Sequence, residues 1–379
     1  MTAPAAFAPG GSVPIPLREV EAELARQMQP LQGEGEHPLQ FARMSNLVIF
    51  CDRRAEAERL AAEVPSVVAI HPARVLLLLG EAGPEDAPVT AAALVRPRQN
   101  GAIVNTCSEM IVLHAAGPTV ARLPFAVRAL LVGDLPINLW WASNQPPAFA
   151  GALLFDLAEN AQQIVYDSRG WVEPTRAVAG TSHWLERFAK TLPGGRWRVA
   201  SDLNWRRLKF WRRLLGQTLD PAIPGGATTT ASELLVEHGP HAVVQAWELA
   251  SWLTRLLGWK VRAGRVEPGI EIEIRWTFDA PHGPVVVRIK RLSEGPSEVR
   301  QVRLQCRIDE HPATLVFKPL DTTRLEVTTE GVEAAPLTVT VQPQSLAELV
   351  GRQLSDRERD PVFTESIATA QVLAQSLTA

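Results

Sequence analysis

Two hydrophobic rhythms divide this chain. From residue 41 to about residue 200, short apolar runs alternate with stretches of helical spacing. "SNLVIFC" (45–51) and "ARVLLLLG" (73–80) are continuous apolar runs of strand length, the pattern of strands covered on both faces. Between them, 52–64 has the spacing of a helix. Further strands are predicted over 87–95, 102–115, 136–142 and 162–168. Helices are predicted over 118–134, 149–161 and 181–192, the last capped by Thr181 or Ser182. Strands alternating with helices imply an α/β layer around a largely parallel or mixed sheet. Residues 204–219 and 240–258 read as two longer helices separated by the loop 221–233. Beyond residue 262 the rhythm changes: 269–278, 283–292, 298–308, 313–320 and 324–331 alternate apolar and polar positions across short turns. That is an antiparallel meander with one wet face, and "SLAELVGRQLS" and a last helix follow it.

The expected fold is therefore an N-terminal α/β domain followed by helices and a C-terminal antiparallel sheet domain of α+β type. Residues 1–40 form a Pro-, Ala- and Gly-rich start, expected to be flexible, then a short amphipathic helix with Leu17, Val20, Leu24 and Met28 at helical spacing, then a linker over 29–40. The division places 41–262 in the α/β domain with its two longer helices, and 263–379 in the meander with C-terminal helices.

Composition narrows the function. The 379 residues carry a formal net charge of -3, so no global basic excess is present to hold nucleic acid or an anionic membrane. No apolar stretch is long enough to span a bilayer, and the N-terminus lacks the pattern of a secretory signal; a cytoplasmic protein is expected. The thiols Cys51, Cys107 and Cys306 are far apart and form no CxxC pair, so paired-cysteine metal binding is not expected. Cys107, in "NTCSEMIVLH", is the redox candidate, although a strand thiol is more often buried and inert. No Gly-rich phosphate loop, HExxH or GxSxG occurs. His114, His183 and His241 stand alone, and a lone histidine is more often structural than catalytic. No catalytic set, metal site or cofactor is expected.

Aromatic usage points to recognition. The chain has 11 Trp and a single Tyr. Trp140 and Trp141 end the strand "PINLWWA", followed by the polar loop "SNQPP". In parallel α/β sheets, ligands gather at the carboxyl ends of strands. The helix "SDLNWRRLKFWRRLLGQTLD" (201–220), capped by Asp202 or Asn204, places Arg206, Lys209, Arg212 and Arg213 on one face, with Trp205 among them. Leu208, Phe210, Trp211, Leu214 and Leu215 define the opposite face, and Arg207 falls inside this apolar arc. A buried, carboxylate-paired Arg207 is expected, since an unpaired buried charge is costly. A basic–aromatic face suits an acidic protein surface or a sugar phosphate; a solvated basic face over a buried apolar one is the commoner meaning of such a pattern.

Several segments resemble one family. "DLPINLWWA" is similar to its Leu-Pro-x-x-Leu-Trp-Trp signature. "SDLNWRRLKFWRRLLGQTLD" resembles its Asp-Leu-Asn-Trp helix with paired basic residues and a closing Leu219-Asp220-Pro221. "HPARVLLLL" and "CSEMIVL" match two strand motifs. The family is the glucose-6-phosphate dehydrogenase assembly protein family, OpcA, and the resemblance covers roughly residues 40–330. It implies a noncatalytic assembly factor or allosteric activator of glucose-6-phosphate dehydrogenase, at the entry to the oxidative pentose phosphate pathway. In cyanobacterial members regulation is linked to thiol redox state. On this reading Trp140, Trp141, Trp205, Arg206, Lys209, Arg212 and Arg213 are the partner-contact candidates, one ring of the Trp pair anchoring the core and the other supporting a partner-facing edge. A sugar-phosphate-binding enzyme or sensor using helix 204–219 is the alternative.

Overall fold

The computed structural model describes residues 6–31, 40–83, 88–100, 103–189, 197–219, 230–269 and 272–378. The chain divides into two compact units. The first comprises residues 1–167, 188–201 and 344–359; the second comprises 168–187, 202–343 and 360–379.

The first unit is built on one sheet. Its strands are β1 (Gln40–Phe41), β2 (Ser45–Cys51), β3 (Ala73–Glu81), β4 (Thr90–Asn100), β5 (Ile103–Ala116), β6 (Ile137–Trp141), β7 (Gln163–Tyr166) and β8 (Val199–Asp202). They run in the order β1-β5-β3-β2-β6-β7-β8, and β4 adds antiparallel to β5. The pairs β3–β5, β2–β3, β2–β6 and β6–β7 are all parallel. Taken in chain order without the two accessory strands, β5-β3-β2-β6-β7-β8 is the 3-2-1-4-5-6 order of the doubly wound dinucleotide-binding sheet. The apolar runs that predicted two-sided burial behave so: Leu47, Val48, Ile49, Val75, Leu76, Leu77, Leu78 and Leu79 are inaccessible to solvent.

Helices α1 (Val20–Met28), α2 (Arg54–Ile70), α3 (Leu123–Leu130) and α4 (Gly151–Leu157) accompany this sheet. The α1 helix turns Val20, Leu24 and Met28 inward. It is tied down by a charge network in which buried Arg74 pairs with Glu21 and, at 3.7 Å, with Glu109, whose carboxylate also receives Arg43 Nε at 2.5 Å. Helix α2 runs past the expected end at residue 64 and through Pro65, because Val64, Val67 and Val68 keep its apolar face buried.

The second unit holds α5 (Pro174–Phe188, apart from its last residue), α6 (Leu203–Arg207), α7 (Lys209–Thr218) and α8 (Val243–Leu256). Its sheet is β9 (Glu233–His238), β10 (Lys260–Glu267), β11 (Glu273–Ala280), β12 (Gly283–Arg291), β13 (Val299–Ile308), β14 (His311–Asp321), β15 (Arg324–Glu330) and β16 (Leu337–Thr340). The strands run β10-β11-β12-β9-β13-β14-β15-β16. Every pair is antiparallel except β12–β9. Two helices complete the chain: α9 (Leu346–Ser355) in the first unit and α10 (Pro361–Gln375) in the second. The α8 helix is buried from Val244 to Thr254, and Trp247 meets Trp276 edge-on at 5.1 Å between ring centroids. Trp276 in turn donates its indole N–H to the Leu373 carbonyl of α10 at 3.0 Å. Gly264 on β10 leaves room for this packing: a Cβ would lie 2.6 Å from the Trp276 ring and 2.8 Å from the Leu377 side chain.

Several boundaries differ from expectation. The division at 262/263 falls inside the second unit, because β9 inserts between β12 and β13 and joins α8 to the C-terminal sheet. Helix α5 starts at Pro174, not Thr181, whose hydroxyl instead donates to the Ala177 carbonyl at 2.7 Å within the helix. Residues 204–219 are two helices, broken at Leu208 (φ -74°, ψ -3°). Most of the linker over 29–40, the loop 221–229 and Asp220–Pro221 lie outside the described residues, as do residues 1–5 of the N-terminal stretch.

Candidate functional site

The first unit has a crevice of about 600 Å³ at the carboxyl ends of its strands. It opens where the strand order reverses, between β2 and β6, the position at which doubly wound sheets bind ligands. Asp52 and Arg53 come from the turn after β2, and Gly80, Glu81 and Ala82 from the end of β3. Gly117 and Val120 follow β5, and Trp141, Asn144 and Gln145 follow β6. Ser143 donates to Asp52 Oδ2 at 2.6 Å and accepts the Gln145 N–H at 3.0 Å, which fixes the loop after the tryptophans.

Glu81 is the most constrained carboxylate of the rim. Arg54 Nη2 donates to it at 2.7 Å, and His114 Nε2 lies 2.7 Å from the same oxygen. The Phe7 backbone N–H donates to His114 Nδ1 at 3.3 Å, so the ring proton sits on Nε2, facing Glu81. Burial pushes Glu81 up, but the Arg54 and His114 hydrogen bonds outweigh it and the net pKa is lowered. For His114 burial prevails over the Glu81 carboxylate, and its pKa falls. This histidine is a structural strut between β5, β3 and the N-terminal segment. His183 and His241 are exposed.

A dinucleotide does not fit this crevice. The fold's cofactor site needs glycines in the first βα turn, so that the backbone can approach a pyrophosphate. Here that turn is Cys51-Asp52-Arg53, and Arg53 stands in extended geometry (φ -132°, ψ 134°) at the α2 N-cap. Beside it the Phe50 and Trp141 rings stack at 4.5 Å and 16°, and a Cβ on Gly80 would already meet Phe50 at 3.0 Å.

Both rings of the tryptophan pair are inside the first unit. Trp140 and Trp141 are each 2% exposed. The expectation that one of them supports a partner-facing edge is corrected: the strand's alternation sends the rings to opposite faces, and both faces are covered. The Trp141 indole N–H is also spent, donating to the Gln145 carbonyl at 2.8 Å.

In the second unit the basic helix segment sorts differently from its projection. Lys209 and Arg213 are exposed, whereas Arg206 and Arg207 are half-buried. Trp205 is buried; its N–H donates to Asp360 Oδ2 at 2.7 Å and its ring lies 5.5 Å from that of Phe363. Arg212, expected on the outer face, packs its guanidinium 3.6 Å over the Trp205 ring. Burial lowers its pKa to about 10, while Asp360 and Glu248 hold it up. Arg212 is thus an arginine of this segment packed into the unit, and half-buried Arg207 donates, among its contacts, to Asn204 Oδ1 at 2.9 Å. The physical reason is the break at Leu208. A single helical projection over 204–219 carries one phase throughout, and the break resets the phase of α7 relative to α6. Asp202 provides the cap, accepting the Asn204 N–H at 2.8 Å.

Each thiol is buried. Cys107 is inaccessible, near Met28, Leu31, Phe41 and Val95, and burial raises its pKa. Cys51 is pushed up to about 12 by burial, with Glu56 and Asp52 adding, and Cys306 to about 11 by burial. Among the described residues no cluster of His, Cys, Asp and Glu could hold a metal ion, and no helix is long and apolar enough to cross a membrane.

Residues 64–182 match the family model described as the glucose-6-phosphate dehydrogenase subunit N-terminal domain, and residues 198–367 match the corresponding C-terminal domain. The chain belongs to the OpcA family of glucose-6-phosphate dehydrogenase assembly proteins. Two curated OpcA relatives, both named as OxPP cycle proteins, are distant. That of Nostoc punctiforme is 24% identical over 52% of this chain and 41% of its own length; that of Synechocystis is 23% identical over 82% and 65%. The chain therefore spans less than two thirds of either relative. A solved oxidoreductase from Sinorhizobium meliloti aligns with 88% of this chain and 96% of its own at a TM-score of 0.50 and 10% identity, a likeness of fold alone.

The candidates read from sequence thus fall into separate places. Trp205 and Arg212 are brought together, Trp140 and Trp141 belong to the other unit, and Lys209 and Arg213 face solvent. Sequence reasoning missed Asp52, Arg53, Glu81 and Asp360. The signal for the first two was present: "CDRR" directly follows a strand, where the fold's nucleotide-binding members carry glycine. Asp360 before Pro361 carried the local signal of a helix cap, but nothing local tied it to Trp205, 155 residues away.

Proposed function

We propose that this OpcA-family chain is a noncatalytic subunit that assembles or allosterically activates glucose-6-phosphate dehydrogenase, in the cytoplasm, at the entry to the oxidative pentose phosphate pathway. The family match across 64–182 and 198–367 supports glucose-6-phosphate dehydrogenase as the partner. The observation that carries the noncatalytic reading is the first βα turn: a dinucleotide-type sheet whose phosphate-cradling glycines are replaced by Cys51, Asp52 and Arg53. The exposed cations Lys209 and Arg213 favour a protein surface over a buried anion pocket on α7, because Arg212 is already committed to Trp205.

The test is a titration of the purified chain into the glucose-6-phosphate dehydrogenase of the same cell, following rate, substrate affinity and oligomeric state. A rise in turnover or a stabilised oligomer is expected. No change in any of the three across the titration overturns the proposal, as does oxidation of glucose 6-phosphate by this chain alone.

A further inference from the structure

The crevice at the strand reversal is ligand-sized and lies wholly within the first unit. Its volume of about 600 Å³ is in the range of small-molecule sites, which are roughly 300–1,000 Å³. Its walls combine apolar surface from Val120, Ala150 and Leu153 with the edge of the Phe50–Trp141 stack. The rim is polar and of mixed sign. Arg53 keeps more than half of its side chain exposed, and its pairing with Asp52 is long, at 3.9 Å. It begins the 17-residue helix α2, whose first turn has no side-chain cap. The N–H groups of a helix's first turn have no partner within the helix and their dipoles favour an anion, and a guanidinium beside them adds to the attraction. Across the crevice, Asp52, Asn144 and Glu81 present acceptors suited to hydroxyl groups. Glu81 is already neutralised by Arg54 and held by His114, so it does not repel an anion seated at Arg53.

We infer that this crevice binds a small phosphomonoester bearing several hydroxyl groups, with its phosphate at Arg53 and the start of α2 and its hydroxyls toward Asp52, Glu81 and Asn144. A dinucleotide pyrophosphate needs the glycine turn that Cys51, Asp52 and Arg53 replace here, so the smaller phosphomonoester is the better match. A sugar phosphate and a nucleoside monophosphate share the required chemistry. The site is independent of the partner reading and of α7.

Calorimetric titration of the full chain with a hexose 6-phosphate, with AMP and with NADP separates these cases. At least one of the two phosphomonoesters binds the native chain at one site, more tightly than NADP. Arg53→Ala leaves the melting temperature unchanged and weakens that binding by about tenfold or more. Lys209→Glu with Arg213→Glu leaves it unchanged. The ligand that binds more tightly, hexose phosphate or AMP, identifies the source. The inference is overturned if neither phosphomonoester binds, if NADP binds more tightly than both, if Arg53→Ala binds as well as the native chain, or if the α7 double variant abolishes binding.

Discussion

Trp205 donates its indole N–H to Asp360 across 155 residues of sequence, at 2.7 Å. The same carboxylate caps α10, its other oxygen accepting the Phe363 N–H at 2.9 Å. Arg212 closes the arrangement from above the ring. A residue that reads from sequence as a partner contact is thus the pin between α6 and α10 within the second unit.

Trp205→Ala is therefore expected to destabilise the fold by about 3–5 kcal/mol, the range for truncating a buried Trp. Asp360→Ala removes a cap and an acceptor together and is expected to cost about 1–3 kcal/mol. Denaturant unfolding of each variant checks this. A Trp205→Ala chain that unfolds at the native midpoint but fails to bind the dehydrogenase would return Trp205 to the interface.

Lys209 and Arg213 are exposed, and charge reversal there is expected to leave stability within about 0.5 kcal/mol. Lys209→Glu with Arg213→Glu should instead slow association with the dehydrogenase and flatten its salt dependence. A thermal melt beside stopped-flow or surface-binding kinetics separates the two effects. Early melting with normal association would place the docking surface elsewhere.

His238 makes stability depend on pH. It is 2% exposed, and burial lowers its pKa from 6.5 to about 4, against the hydrogen bond to the Gly239 carbonyl and with Arg291 adding. Between those values the unfolded chain holds a proton that the folded chain refuses. Stability is full above about pH 6.5 and is lost as pH falls toward about 4, by roughly 3 kcal/mol in all. His238→Asn, which keeps a side-chain donor, should flatten this acid limb relative to the native chain. Parallel limbs for the two proteins between pH 7 and pH 5 would show that His238 is not the group responsible.

Oxidant should do little to this protein. Cys51, Cys107 and Cys306 are buried and their thiols are pushed away from the reactive thiolate form. A thiol reagent is expected to label the folded chain only at the rate of its opening, and activation of the dehydrogenase should survive oxidation. Rapid labelling of Cys107, or activation lost on oxidation and absent from a Cys107→Ser variant, would contradict this.

Much of the architecture was legible because burial on both faces of a strand demands continuous apolar runs, and the chain supplies them at 45–51 and 73–80. Alternation beyond residue 262 likewise dictated a sheet with one covered face, and Asp202 before Leu203 and Asn204 marked a helix start. Each of these is a local property, readable from neighbours within a few residues. The place of β9 was not local. Its alternating Leu234, Val236 and His238 pattern is present, but only pairing with β12 and β13 makes it the centre of the second sheet. Nor was the fate of the basic helix local: its phase depends on a break at one residue, and its charges on a carboxylate supplied by α10. Tertiary structure alone decided that Arg212 packs against Trp205 while Lys209 and Arg213 stay wet. The cost of burying a guanidinium is met by groups that the fold, not the local sequence, brings within reach.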